Sequence, residues 1–427
     1  MISRLLTRVL IIPILWTGLL LMKADGKTDK QLLWQALIFS AILLIGCLLE
    51  QLFHYQGDPY LIAVVEVILA IGLVFLVRID PDLALRQFWW ANLGLIVFYG
   101  VLFGLRNYRL LGSFRYLWGL LAVVLLLVTF LFGVTRGGAT SWFGIGGFTV
   151  EPEEFVKLAL LLFLASYLGE HQEILRVGTR QFGRFSLPDW HTLGPFVLMA
   201  VFILGLLAAQ KSLGTALVFC SLFILLLYVV TERSLYLGLS LPLLIITFVA
   251  GYFLFDHVRL RVKVWLDPWQ DPTGGGYQIA QSLFAIGGGK IFGTGFGNGI
   301  GAAQVPTAST DFIFSVIAEE LGFTGAMALL CFFLILVMRA FVISFKAPDR
   351  FGQIIAAGIG ILLGTETMII LAGVTKLLPL TGIPLPWVSY GGSSLSVHFL
   401  LLGLLANISQ SAEESAQRKK RGREYAA

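Results

Sequence analysis

The sequence predicts an all-α polytopic membrane protein of about 12 transmembrane helices, and three observations carry that expectation. The chain has 427 residues, of which 57% are hydrophobic and only 13% charged, far from the composition of a soluble domain. Its apolar residues gather into runs close to the ~20 residues that a helix needs to cross a hydrocarbon core about 30 Å thick. Its glycine-, proline- and aromatic-rich polar residues concentrate in three segments, 134–153, 257–320 and 373–392.

The apolar runs lie near 5–22, 32–49, 60–78, 87–104, 115–133, 154–169, 193–210, 213–231, 234–256, 321–345, 351–372 and 393–411. The first is flanked by Arg4 and Arg8 and looks like a signal peptide. It lacks a small-residue cleavage site, so we read it as a retained helix. An even number of spans returns both termini to one side. About 17 basic residues fall on that side, among them Arg4, Arg8, Arg106, Arg109, Arg184, Arg339, Arg350 and the tail cluster Arg418, Lys419, Lys420 and Arg421. About 13 fall on the other side, four of them in one long loop where they weigh less, so the termini are expected in the cytoplasm. All three polar segments then face outward, and 257–320 is a large extracytoplasmic loop between the ninth and tenth spans. The expected organisation is an N-terminal helix pair (1–55), a main transmembrane domain (56–412) and a polar cytoplasmic tail (413–427).

Several function classes drop out. Cys47, Cys220 and Cys331 sit in apolar runs without CxxC spacing and read as small hydrophobes. The histidines His54, His171, His191, His257 and His398 have no ligand spacing. No nucleotide-binding loop is present, so no nucleotide cofactor is expected. The net charge of +5 resides in loops and tail, where topology places it, and is no sign of a nucleic-acid partner.

The stretch Arg259 to Gly297 is the most informative. It opens on Arg259, Arg261 and Lys263, cations suited to a phosphate. It continues through Asp267 and Asp271 into two glycine clusters, which let backbone approach a ligand closely. Asp271 is a candidate base, or a ligand for a divalent cation such as Mg or Mn. Tyr277, Gln278 and Gln281 share one expected amphipathic face and suit sugar or peptide. Upstream, Trp142 precedes Pro152, Glu154 and Lys157. Pro152 suits a helix start, and Glu154 and Lys157 are spaced to pair on one face. An ionisable pair at a membrane span is a functional candidate. Glu319 and Glu320 open the tenth span and suit its dipole. Downstream, Pro379, Pro384 and Pro386 fix an extended path ahead of Ser389-Tyr390-Gly391-Gly392-Ser393-Ser394, which offers hydroxyls and backbone amides.

In order and spacing these segments resemble the SEDS family of shape, elongation, division and sporulation proteins, typified by RodA and FtsW. The matching elements are Trp142, Pro152 to Lys157, Leu213-Gly214-Thr215, Asp271-Pro272, Gly276-Tyr277-Gln278, Gln281-Ser282, Thr310-Asp311-Phe312, Glu319-Glu320-Leu321-Gly322 and Leu378 through Ser394. The resemblance implies a core of ten transmembrane helices, to which residues 5–49 add two. It implies a peptidoglycan glycosyltransferase of the bacterial cytoplasmic membrane. Such an enzyme polymerises lipid II at the outer face beside a cognate class B penicillin-binding protein and other cell-wall synthesis or division proteins. Asp271 matches the family's essential acidic residue. Trp142, Glu154, Lys157, Arg259, Arg261, Lys263, Tyr277, Gln278, Gln281, Lys376, Ser389 and Ser393 are the expected substrate contacts.

The chain departs from the family pattern at five places. Thr140-Ser141 stands for a usual basic pair, and Glu151-Pro152-Glu153-Glu154 for Gln-Pro-Ser-Glu. Lys211-Ser212 stands for Pro-Asp, Ser309 for histidine, and Lys376 for a frequent glycine. Two other function classes fit the composition. A lipid II flippase would want polar groups through both halves of the membrane, and here they collect on one face. A non-catalytic scaffold of the cell-wall machinery would have no need of an intact Asp271 loop.

Overall fold

The computed structural model describes residues 12–21, 30–105, 107–136, 139–145, 148–178, 180–182 and 185–426. Residues 5–11 and 22 of the first expected span, and Arg4, Arg8, Arg106 and Arg184 used to orient the chain, lie outside them.

Every apolar run, over its described residues, falls on a helix. In order these are α1 (Ile12–Leu21), α2 (Lys30–Leu52), α3 (Tyr60–Ile79), α4 (Pro81–Gly104), α5 (Arg115–Phe132), α6 (Pro152–Val177), α7 (Trp190–Ala209), α8 (Leu213–Thr231) and α9 (Ser234–Leu254). The outer segment follows with α10 (Asp256–Leu266), α11 (Tyr277–Gly289) and the short α12 (Gly301–Gln304). The chain closes with α13 (Ile313–Lys346), α14 (Arg350–Val374) and α15 (Gly392–Ala426). Among the described residues ten helices are long and apolar enough to cross a membrane. The two other runs are helical as well: α6 has three charged residues in its first two turns, and α1 is described for only ten residues. The chain is a multi-pass membrane protein.

Three details add to the sequence expectation. The segment 257–320 is mostly helical rather than loop, because its amphipathic stretches close their own backbone hydrogen bonds. The fold is not purely α: β1 (Val134–Arg136), β2 (Ala139–Ile145) and β3 (Phe148–Val150) form an antiparallel meander before α6, and β4 (Arg180–Phe182) and β5 (Phe185–Leu187) a hairpin after it. The polar tail continues α15 as helix to Ala426.

The chain divides into two compact units. The first holds residues 1–106, 261–339 and 366–427, the second 107–260 and 340–365. Within the first, α4 packs along α15 through small residues. A Cβ on Gly94 would lie 2.2 Å from the Phe399 ring, and one on Gly403 3.0 Å from Val101. Small residues of this kind let membrane helices approach closely where lipid provides no hydrophobic drive. Polar side chains add to the α2–α4 contact, with Asn92 donating to Gln35 at 3.0 Å. Within the second unit α5 packs on α6, and α6 on α8.

Candidate active site

The Asp271 turn lies in the first unit. Asp267 opens it, its Oδ1 accepting from Trp269 N at 3.0 Å. Asp271 then draws three glycine amides inward. Gly274 N and Gly276 N donate to its carbonyl at 3.3 and 3.0 Å. Gly275 N donates to its carboxylate Oδ2 at 2.8 Å. A Cβ on Gly274 would sit 2.3 Å from that same oxygen. A Cβ on Gly276 would lie 2.1 Å from the Pro268 carbonyl oxygen, so this glycine is required by the close approach of backbone to backbone. Asp271 is exposed, and Gly275 N is the one hydrogen-bond donor to its side chain among the described residues.

The three clustered cations are not one cluster in space. They lie on α10, and on a helix positions i and i+4 share a face while i+2 does not. Arg259 and Lys263 are exposed on one side. Arg259 belongs by position to the second unit, where it pairs with Asp256 at 3.3 Å and donates to Phe253 O. Arg261 turns inward in the first unit and donates to Leu380 O and Thr381 O, both at 3.2 Å. Burial pulls its guanidinium below its ordinary range, and Asp311 opposes that.

Asp311 is the residue that sequence reasoning quoted but gave no role. It faces Arg261, and its Oδ2 lies 3.6 Å from where a Gly382 Cβ would be. Burial pushes its carboxyl up to about 6, against the pull of the Thr310 hydroxyl and Arg261. The proline-fixed segment is tied to the same place. Tyr390 N donates to Ser309 O at 2.8 Å, and the Ser389 hydroxyl donates to Thr310 O. Ser389 Oγ also accepts from Leu385 N at 2.9 Å, so this hydroxyl holds the turn. Lys376 has φ +61°, a conformation in which glycine is least strained, and its carbonyl accepts from Trp265 Nε1 on α10 at 3.1 Å. Tyr277, Gln278 and Gln281 share one half-buried face of α11. Ser393 is buried in the first turn of α15.

The remaining expected contacts belong to the second unit. Trp142 is half-buried in β2, opposite Val134. Pro152 occupies the first turn of α6, and Lys157 Nζ meets Glu154 Oε2 at 2.8 Å with both side chains buried. Glu319 and Glu320 do not open a helix. They precede a break in α13 at Gly322, where φ is +70°. Glu319 accepts from Ile300 N and Gly301 N at 3.1 and 2.7 Å. Glu320 accepts from Gly297 N at 2.8 Å and pairs with Arg78, which holds Gly297 O and Gly299 O. They fasten the glycine loop instead, because the helix begins earlier, at Ile313.

No group of three or more His, Cys, Asp or Glu side chains poised for a metal occurs among the described residues. Asp271, the expected cation ligand, is an exposed carboxylate, the oxygen donor that hard cations take.

Residues 50–414 match the model of the FtsW/RodA/SpoVE cell cycle protein family. The chain belongs to this family. The peptidoglycan glycosyltransferase RodA of Mycobacterium bovis is 37% identical over 380 residues, 86% of this chain and 81% of that one. Among solved structures, a chain from work on coordination of polymerization and crosslinking by a peptidoglycan synthase complex superposes with TM-score 0.69 at 30% identity. It covers 84% of this chain and 98% of that one. Rod shape determining protein RodA of Thermus thermophilus, in a variant with one aspartate replaced by alanine, has TM-score 0.60 at 27% identity, with the same coverage. The FtsW/RodA/SpoVE match begins at residue 50, so α1 and nearly all of α2 precede it.

Proposed function

We propose that the chain is a peptidoglycan glycosyltransferase that polymerises lipid II at the outer face of the cytoplasmic membrane and releases undecaprenyl pyrophosphate. The carrying observation is the family match across residues 50–414, which takes in every expected contact residue. The reaction joins a sugar hydroxyl to an anomeric carbon that bears a pyrophosphate. It needs a base for the hydroxyl and positive charge for the leaving phosphates. Asp271 is the base: its Oδ2 is anchored by Gly275 N and Oδ1 is left to take the proton. Lys263 and Lys376 are the cations facing the pyrophosphate, while Arg261 holds the Leu380–Thr381 backbone in place. A divalent cation on Asp271 is the competing role for the same carboxylate, in which it would neutralise the donor phosphates instead of taking the proton. One direct displacement inverts the anomeric centre, so an α-linked donor gives a β-linked strand. The synthase complex among its structural neighbours supports a class B penicillin-binding protein as partner.

The test is polymerisation of labelled lipid II in liposomes by the parent and by Asp271→Ala, each with and without the cognate penicillin-binding protein. Long glycan from the parent alone is the expected result. No polymer from a folded parent in either arm overturns the reading, and lipid translocation becomes the next assay.

A further inference from the structure

At the start of α6, beside the Glu154–Lys157 pair, a second carboxylate is buried. Glu153 is 1% exposed. Both of its oxygens are engaged: Ser141 Oγ donates to Oε1 and Ser212 Oγ to Oε2, each at 2.6 Å. These donors come from different elements. Ser141 lies in β2, next to Trp142, and Ser212 is the residue that precedes α8. A serine there ordinarily caps its own helix. Ser212 makes no side-chain cap and turns to Glu153 and to Thr215 Oγ1 instead.

A second observation concerns the same three residues. Ser141, Glu153 and Ser212 are all buried, at 2%, 1% and 9% exposure, and the one carboxylate joins a β-strand, the first turn of α6 and the start of α8.

We propose that Glu153 is a positioning residue, with Ser141, Glu153 and Ser212 acting as one hydrogen-bonded unit that sets the strand of Trp142 and the start of α8 against the helix turn carrying Lys157. Removing the carboxylate alone takes the acceptor from the Ser141 hydroxyl and leaves Ser212 with Thr215 Oγ1, and adding one at 212 alone puts two carboxylates in contact. Doing both restores the hydrogen bond in the opposite sense.

The test rests on the glycosyltransferase reading for one readout and is independent of it for the other. Glu153→Ser, Ser212→Asp, the double variant and Glu153→Gln are compared in polymerisation and in thermal unfolding of the full chain. Each single Ser or Asp variant is expected to lower polymerisation at least tenfold and to lower Tm. The double variant returns to within threefold of the parent, with most of the Tm restored. Glu153→Gln, which keeps the packing, lowers kcat at least fivefold with KM within twofold. If the effects of the singles simply multiply in the double, or if Glu153→Gln matches the parent, the proposal fails. A parent without polymerase activity would refute only the glycosyltransferase reading, because the Tm cycle still reads the coupling of 153 with 212.

Discussion

The Asp271 turn and the start of α6 are built on opposite plans. Asp271 is exposed and held by one backbone amide within a glycine turn. Glu154 and Lys157 are buried, and each is the other's partner at 2.8 Å. A reactive carboxylate that must meet a sugar and a phosphate gains from access. It contributes little to stability, because almost none of its surroundings depend on it. A buried ion pair has the reverse character: its charges have been taken out of water, so each becomes indispensable to the other. Activity and stability therefore separate along the chain, and substitutions at the two places should fail in different ways.

The largest expected effect is on Asp271. Asp271→Asn keeps the Gly275 hydrogen bond and removes the base, so polymerisation should fall by roughly 10²- to 10⁴-fold. The melting temperature should stay within a degree or so of the parent. A parallel fall in Tm would show that the turn is structural and collapse the contrast with α6. Lys157→Met is the complementary case. Stranding Glu154 in a buried position should cost about 3–5 kcal/mol, visible as a lower Tm or poor recovery of folded protein. Glu154→Leu with Lys157→Met should recover much of that loss, since an apolar pair leaves no orphaned charge. A double variant that folds well and still polymerises would remove the pair from the substrate contacts.

How much of this was legible in the sequence follows the same division. Helices could be read because a span announces itself over about 20 consecutive residues. Pro152 and the Glu154–Lys157 spacing are local signals too, and the structure pairs those side chains as their spacing suggests. What escaped was contact between distant parts. Ser212 reaches Glu153 from 59 residues away, and Ser389 reaches Thr310 across 79. No periodicity encodes such partners. The basic run at 259–263 misled for a related reason: charges adjacent in sequence look like one patch until the backbone coils. Glu319 and Glu320 read as a helix start because the apolar run begins at Leu321, and the helical stretch ahead of it, from Ile313, is too short to announce itself.

A smaller effect sharpens the contrast within the first unit. Asp311 has a folded value near 6, above the ~3.9 of an unfolded aspartate, so the folded chain holds the proton more tightly. Its contribution to stability is greatest below about pH 4, falls as pH rises through about 6, and is flat above that. The two-unit difference corresponds to about 3 kcal/mol at most. Asp311→Asn should flatten this part of the Tm profile between about pH 4 and 6. A profile unchanged by the substitution would mean that Arg261 compensates the charge fully.

The smallest effects test the two faces of α10. Arg261→Ala removes a guanidinium that donates to both Leu380 O and Thr381 O. Neutral hydrogen bonds contribute about 1 kcal/mol each and charged ones about 1.5–3, so Tm should drop by a few degrees, with polymerisation reduced as the 380–390 segment loosens. Arg259→Ala removes an exposed pair with Asp256, which is 97% exposed at its side chain. Pairs of this kind add little in water, so its Tm should not move measurably. The paired comparison is decisive because both arginines sit on one helix two residues apart. Equal losses from the two would mean that the helix does not sort its charges by face. A loss confined to Arg261 would show that this cation acts through the backbone it holds and leaves the phosphate to Lys263 and Lys376.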